Sequence, residues 1–324
     1  MESSPSKKAY AGMDTMAVVL QEPGRIALSR LDLTPPGDDD VVVDVEWSGI
    51  STGTERLLWS GTMPNFPGMG YPLVPGYESV GVVRAKGRDA KAAVGSRVFV
   101  PGARCFGDVR GLFGGAAARV VLPAHRAMPF DEAIGERGVL LALAATAYHV
   151  TAQPGALQPD LIVGHGALGR LLARIAVASG GAPVVWETNP TRTGGAQGYE
   201  VITPDSDTRR DYRSICDVSG DASILDGLIG RLAPGGEIVL AGFYAQPIGF
   251  AFPPAFMREA RLRIAAQWQP GDLPAVRDMV QDGQLSLDGL ITHRVEATEA
   301  ADAYRTAFGD PACLKMVLDW RACV

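Results

Sequence analysis

The rhythm of apolar positions changes once along the chain. In the first third they come in short runs: Met16 to Leu20, Val41 to Trp47, Glu78 to Arg84, Arg97 to Val100 and Ala116 to Leu122, separated by glycine, proline and aspartate. Short apolar runs between turn formers predict strands, and a succession of them predicts a barrel-like β domain. The texture shifts near Asp131. Glu136 to Thr151 is rich in alanine and leucine at helical spacing. Beyond it, strands are expected at Asp160 to Val163, Pro183 to Glu187, Tyr199 to Thr203, Ser214 to Ser219, Glu237 to Ala241 and Leu262 to Ala266, with an apolar helix over Leu168 to Ser179. Strands alternating with helical crossovers predict a doubly wound parallel sheet. The tail adds helices over Leu273 to Asp282 and Ala297 to Phe308 and a closing strand over Lys315 to Asp319. The fold class is therefore α/β, a β-barrel domain plus a doubly wound sheet. The expected organisation is a flexible N-terminal extension over 1–15, the barrel domain over 16–135, a nucleotide-binding domain over 136–266 and a return to the first domain over 267–324.

Composition narrows the function. Of 324 residues, 47% are hydrophobic and 20% charged, enough for a packed core. The net charge of -6 argues against nucleic acid as a partner, because phosphate binding needs a basic face. The start of the chain lacks the apolar run of a signal peptide, and no stretch reaches the roughly 18 apolar residues of a membrane span. The cysteines Cys105, Cys216, Cys313 and Cys323 include no C-x-x-C pair. That spacing gives neither a zinc knuckle nor a disulfide framework, and it fits a reducing cytoplasm.

The chemistry starts at Gly164-His165-Gly166-Ala167-Leu168-Gly169, which lies between an expected strand and an expected helix. In that context the first glycine permits a tight turn and the second lets backbone approach a pyrophosphate. The third lets helix and strand pack closely, while the helix N-terminus offers N–H groups to the anion. Glu187 ends the next expected strand, where a carboxylate accepts from both ribose hydroxyls and repels a 2′-phosphate. This favours NAD over NADP, with Arg192 leaving room for a phosphate pairing. Ser219, Gly220, Gly242 and Phe243 stand at later strand ends, where ligands of such sheets bind.

Pro75-Gly76-Tyr77-Glu78-Ser79-Val80-Gly81-Val82-Val83, Ser48-Gly49-Ile50-Ser51-Thr52-Gly53-Thr54-Glu55, Val94 to Val98 and Leu141 to Tyr148 resemble the medium-chain zinc alcohol dehydrogenases. The resemblance implies a GroES-like barrel, an inserted Rossmann domain and a C-terminal return. It fails at the metal. Ser51 or Thr52 stands where the family has its Cys ligand and Tyr77 where it has His. Leu141 to Ala145 supplies no third donor. Hydroxyls are poor zinc ligands beside thiolate and imidazole, so no zinc is expected. A longer run resembles the 3-hydroxyethyl bacteriochlorophyllide a dehydrogenases of bacteriochlorophyll biosynthesis. It extends from Trp47 to Gly61 and through Met63-Pro64, Phe66 to Pro72 and Pro75 to Ser79. That resemblance implies oxidation of the 3-(1-hydroxyethyl) group of a tetrapyrrole to 3-acetyl, with NAD as acceptor.

Without a metal, hydroxyls must handle the alcohol's proton. Tyr77 leads the catalytic candidates, with Ser51, Thr52 and Thr54 as relay, Glu78 as polar partner and His149 as a group titrating near neutrality. Each has a plainer alternative. Tyr77 can fill the vacated metal cavity, and Glu78 and His149 can be satisfied structural residues. Leu57 to Tyr71 reads as an exposed or semi-exposed loop whose Trp59, Met63, Phe66, Met69 and Tyr71 suit stacking on a macrocycle, the alternative being a loop tucked against its own barrel. Arg56 or Arg104 can pair with a propionate. By analogy alone, Gly242 to Ala251 is the segment for a homodimer contact. Two rival readings are a zinc-independent quinone or enone reductase using NADPH and a non-catalytic dinucleotide-binding protein.

Overall fold

A computed structural model describes residues 13–65 and 67–324. The chain divides into two units, one running through Ala142 and taking in Ile291–Val324, the other Leu143–Leu290.

The first unit is organised around the strand Asp40–Ile50, whose Val41, Val42, Val43 and Val45 are all buried. A strand buried on both faces needs partners along its length. It pairs antiparallel with Ser79–Lys86, Arg119–Pro123 and the C-terminal Met316–Asp319. Met316–Asp319 in turn pairs with His293–Glu296. A second, four-stranded sheet holds the hairpin Asp14–Glu22 and Arg25–Asp32. The first of these strands begins at Asp14, inside the range expected as an extension; residues 1–12 lie outside the described residues. Leu57 to Tyr71 is not one loop. Thr54–Ser60 forms a short helix ended by Gly61 in the left-handed region at φ 71. Leu58 of this helix is buried with Leu20, Leu73 and Leu112, and Trp59, Met63, Met69 and Tyr71 pack against that cluster.

The second unit carries a six-stranded parallel sheet. From one edge its strands are Glu200–Ile202, Val184–Trp186, Leu161–Val163, Tyr212–Asp217, Leu232–Leu240 and Arg261–Ile264. Numbered within the unit this is order 3-2-1-4-5-6, the doubly wound arrangement, whose switch point lies between Leu161–Val163 and Tyr212–Asp217. The helix Ala167–Ala178 buries Leu171, Leu172 and Ile175. The second unit extends to Leu290 rather than ending at 266, because helix Asp272–Gln281 remains part of it. Asp272 receives a hydrogen bond from His149 there, and Arg174 donates to the Ser286 carbonyl. The helix expected over Glu136 to Thr151 is a 3-10 stretch, Glu132–Leu140, that leads into helix Leu141–Ala152. Among the described residues no helix is long and apolar enough to cross a membrane.

Candidate functional site

In the first unit the hydroxyls come together where strand Asp40–Ile50 ends. Ser51 Oγ lies 2.8 Å from the Tyr77 hydroxyl, and Thr54 also hydrogen-bonds that phenol. Tyr77 is half-buried, its ring edge-on to Phe113 at 5.5 Å. Burial and the carboxylates Glu78 and Glu55 push the phenol above its ordinary range, so Tyr77 stays protonated at neutral pH. Thr52 is half-buried beside them.

Beneath the hydroxyls is a buried charged layer. Glu55 is 1% exposed. Its Oε1 accepts from the Ser51 backbone N–H at 3.0 Å and its Oε2 from the Tyr304 hydroxyl at 2.5 Å. Burial pushes the Glu55 carboxyl up to about 7, with the Tyr304 and Ser51 hydrogen bonds opposing. Glu78 Oε2 receives a hydrogen bond from Lys315 Nζ at 2.6 Å, and Lys315 also donates to the Ile50 carbonyl at 3.1 Å. Glu78 therefore serves Lys315 instead of the phenol next to it in sequence. Gly49 makes room for it: a Cβ there would stand 2.3 Å from Glu78 Oε2.

Glu55, Tyr304 and Lys315 went unassigned in the sequence reading. Glu55 carried a usable signal, an acid four residues after Ser51 at a helix start, placed to reach back to an N–H. Lys315 carried another, a cation interrupting the apolar run Cys313 to Leu318. Tyr304 carried none beyond its place on an amphipathic helix.

For two candidates the contacts fit the plainer alternative. His149 is buried in the second unit, donating from Nδ1 to Asp272 at 2.8 Å, with the Gln153 amide 3.2 Å from Nε2. These partners account for it as a contact between two helices. Among the described residues the stacking candidates, each half-buried, also have the contacts of the tucked alternative. Trp59 packs on Phe308 at 5.7 Å, the Tyr71 hydroxyl donates to the Leu58 carbonyl, and Met63 packs on the same cluster. Their apolar faces serve the first unit's own core. Arg56 donates to the Phe308 carbonyl and lies over its ring. Phe66 is outside the described residues.

In the second unit the glycine turn has the geometry its spacing predicts. Gly164 has φ +104, and a Cβ on Gly169 would sit 1.9 Å from the Gly164 carbonyl oxygen, so strand and helix meet at backbone distance. Gly166 precedes helix Ala167–Ala178, which no side chain caps, and a Cβ at Gly166 would meet nothing within 4 Å. Of the turn's N–H groups, Gly164 N donates to the Trp186 carbonyl and His165 N to Glu187, which leaves those of Gly166 and, in the first helical turn, Ala167 and Leu168 for an anion. Glu187 ends the neighbouring strand with Oε1 accepting from Asn189 N at 2.7 Å and Oε2 from His165 N at 3.1 Å. The His165 imidazole is fully buried and turned away from this open side, and Arg192 enters the cluster through its carbonyl. Asp217 gathers the later strand ends. It accepts from Ser219 N at 2.8 Å, and its carbonyl accepts from Gly242 N at 3.0 Å. A Cβ on Gly242 would stand 2.9 Å from Gly220 N. Phe243 follows, 45% exposed.

Residues 37–132 match the alcohol dehydrogenase GroES-like domain. An alcohol dehydrogenase from E. coli CFT073 solved with NADH superposes with a TM-score of 0.81 at 24% identity, over 95% of this chain and 100% of that one. A dehydrogenase from Sinorhizobium meliloti 1021 bound to NADP gives 0.79 at 21%, over 95% and 99%. Fold and site together define an oxidoreductase of the alcohol dehydrogenase class, with a GroES-like domain and a Rossmann sheet. The 2-desacetyl-2-hydroxyethyl bacteriochlorophyllide A dehydrogenase of Rhodobacter capsulatus is 60% identical over 95% of this chain and 99% of its own length. That of Cereibacter sphaeroides is 58% identical over 96% and 99%. This chain belongs to the family of 2-desacetyl-2-hydroxyethyl bacteriochlorophyllide A dehydrogenases.

Proposed function

We propose that the chain oxidises the hydroxyethyl side chain of a bacteriochlorophyllide to an acetyl group, with NAD as hydride acceptor and no catalytic zinc. The observation that carries the reaction is the near-full-length likeness to two dehydrogenases of that name. Bound NAD supplies the hydride acceptor. The residues that would hold it are the turn Gly164 to Gly169 for the pyrophosphate and Glu187 for the adenosine ribose. Glu187 supports NAD over NADP, because a 2′-phosphate would meet a carboxylate whose two oxygens are already fixed.

The donor set does not fit zinc. Ser51 and Tyr77 stand at the ligand positions, are hydrogen-bonded to each other, and bring neither thiolate nor imidazole. In this reading Tyr77 acts as a protonated phenol. It orients the substrate hydroxyl and takes the alcohol's proton while passing its own to Ser51 or Thr54, and the hydroxyl that receives it releases its own proton to solvent, which half-buried Thr54 can reach. Thr52 completes the hydroxyl group. Incubating the protein with NAD and a hydroxyethyl bacteriochlorophyllide should shift the macrocycle absorption as the conjugated acetyl forms. A strong chelator should leave the rate unchanged; loss restored by added zinc would overturn the metal-free reading.

We also infer a homodimer. Among the described residues, strand Arg261–Ile264 is a sheet edge paired on one side only. It carries exposed Leu262 and Ile264, and Phe252, Phe256 and Met257 of the preceding helix are exposed as well. An open edge with clustered apolar side chains is a pairing surface. It lies after the segment Gly242 to Ala251 expected from sequence. Light scattering should give twice the chain mass for the wild type and a monomer for Ile264→Lys.

A further inference from the structure

We propose that His165 is a positioning residue that sets dinucleotide selectivity, by locking the Glu187 carboxylate and the loop after it into one arrangement. The inference rests on the dinucleotide reading above and names the residue that makes the reading selective.

His165 stands between two glycines in a turn whose next residues, Gly166, Ala167 and Leu168, are all half-buried, yet it is 0% exposed. Its side chain is therefore spent inside the unit. Nδ1 lies 2.6 Å from the Arg192 carbonyl oxygen, which can only accept, so Nδ1 carries the proton. In the neutral ring Nε2 then accepts from the Tyr199 hydroxyl at 2.8 Å. The two rings meet edge-on at 5.5 Å. Burial and the neighbouring Arg170 guanidinium hold the imidazole below its ordinary pKa, which keeps this tautomer in place.

The same residue holds Glu187 through its backbone N–H, while Asn189 N holds the other carboxylate oxygen. Arg170 closes the circuit, donating from Nε to the His165 carbonyl at 3.1 Å and from Nη2 to the Arg192 carbonyl at 2.9 Å. The turn that meets the pyrophosphate, the acid that meets the ribose and the loop from Asn189 to Tyr199 are thus tied at one residue, the acid through its backbone N–H and the loop through its imidazole. A carboxylate fixed at both oxygens keeps its charge where a 2′-phosphate would sit. A loosened one can swing away and admit it. Selectivity then depends on the tie as well as on the acid.

The test is direct titration of wild type, His165→Ala, His165→Asn and Tyr199→Phe with NAD and NADP, each protein checked for cooperative melting. His165→Ala should weaken NAD by about tenfold, the scale of one or two lost hydrogen bonds, and weaken NADP much less, so that the affinity ratio falls toward unity. His165→Asn, which keeps a side-chain N–H for the Arg192 carbonyl, should recover most of the ratio, and Tyr199→Phe should lower it a few-fold. The KM for the tetrapyrrole at saturating NAD should not move. Should His165→Ala fail to fold, the other two variants carry the comparison. Equal weakening of both dinucleotides with an unchanged ratio overturns the latch alone. A wild type that binds neither dinucleotide overturns the dinucleotide reading, and the latch with it.

Discussion

Lys315 Nζ lies 2.6 Å from Glu78 Oε2, with the two side chains 2% and 0% exposed, and so joins the last strand region to the segment that carries Tyr77. The pair is incompletely satisfied, since Glu78 Oε1 has no hydrogen-bond partner among the described residues. Removing one member of a buried pair leaves the other charge stranded. Lys315→Met should therefore lose about 3–5 kcal/mol in urea unfolding. Lys315→Met combined with Glu78→Leu should recover most of that loss, because it removes both desolvation costs. A double variant no more stable than the single one would show that the charges, and not only their mutual satisfaction, hold the region.

Glu55 gives the fold a pH dependence with a definite sign. Its carboxyl rises from 4.5 to about 7 in the folded chain. A raised folded pKa means that the native state holds a proton the unfolded chain has lost. The contribution to stability is fully present below pH 4.5 and declines as pH rises through about 7. The decline is on the order of 3 kcal/mol across that window. Glu55→Gln keeps the acceptor for the Ser51 N–H and removes the titration. Thermal melts of the variant should therefore lose less stability than wild type between pH 5 and pH 8. Parallel curves for the two proteins would place the titration elsewhere.

The doubly wound sheet was legible because its signals are local. An apolar strand, three glycines at fixed spacing and an acid at the next strand end each report their own neighbourhood. The first unit was legible at strands such as Arg97–Val100, where the apolar residues Val98, Phe99 and Val100 run together. It was not legible at Arg25–Asp32, an edge strand with no buried residue and hence no apolar alternation to read. The charged layer was hidden for a different reason. Lys315 lies 237 residues from Glu78 and Tyr304 lies 249 from Glu55, and nothing local announces such partners. His149 could be read either way because an imidazole looks the same in sequence whether it meets substrate or Asp272.

Trp59 separates packing from stacking. Its ring lies 5.7 Å from Phe308 and joins the cluster around Leu58 and Leu73. Trp59→Ala should cost about 2–3 kcal/mol of stability, since the side chain is only half-buried and part of a full Trp→Ala penalty applies. The KM for the tetrapyrrole should change less than about threefold, within the roughly 0.6 kcal/mol that separates near-neutral contacts from anchors. A large rise in KM with an unchanged melting point would restore the macrocycle-stacking role.

Tyr77 bears the heaviest chemical demand. Its phenol is held protonated by burial and by Glu78, and its hydroxyl has Ser51 Oγ at 2.8 Å as a relay partner that can take its proton while releasing its own. A relay of this kind makes its contribution in the transition state, where the alcohol's proton leaves with the hydride. Tyr77→Phe removes only the hydroxyl and leaves the ring against Phe113. It should lower kcat by about 10²–10⁴-fold, the usual worth of general acid–base help, while the affinity for NAD stays as in wild type. Ser51→Ala should lose less, because Thr54 also hydrogen-bonds the phenol and can take its place. If Tyr77→Phe keeps near-wild-type kcat with a raised KM, the phenol only fills space or orients the substrate, and the proton leaves by another group.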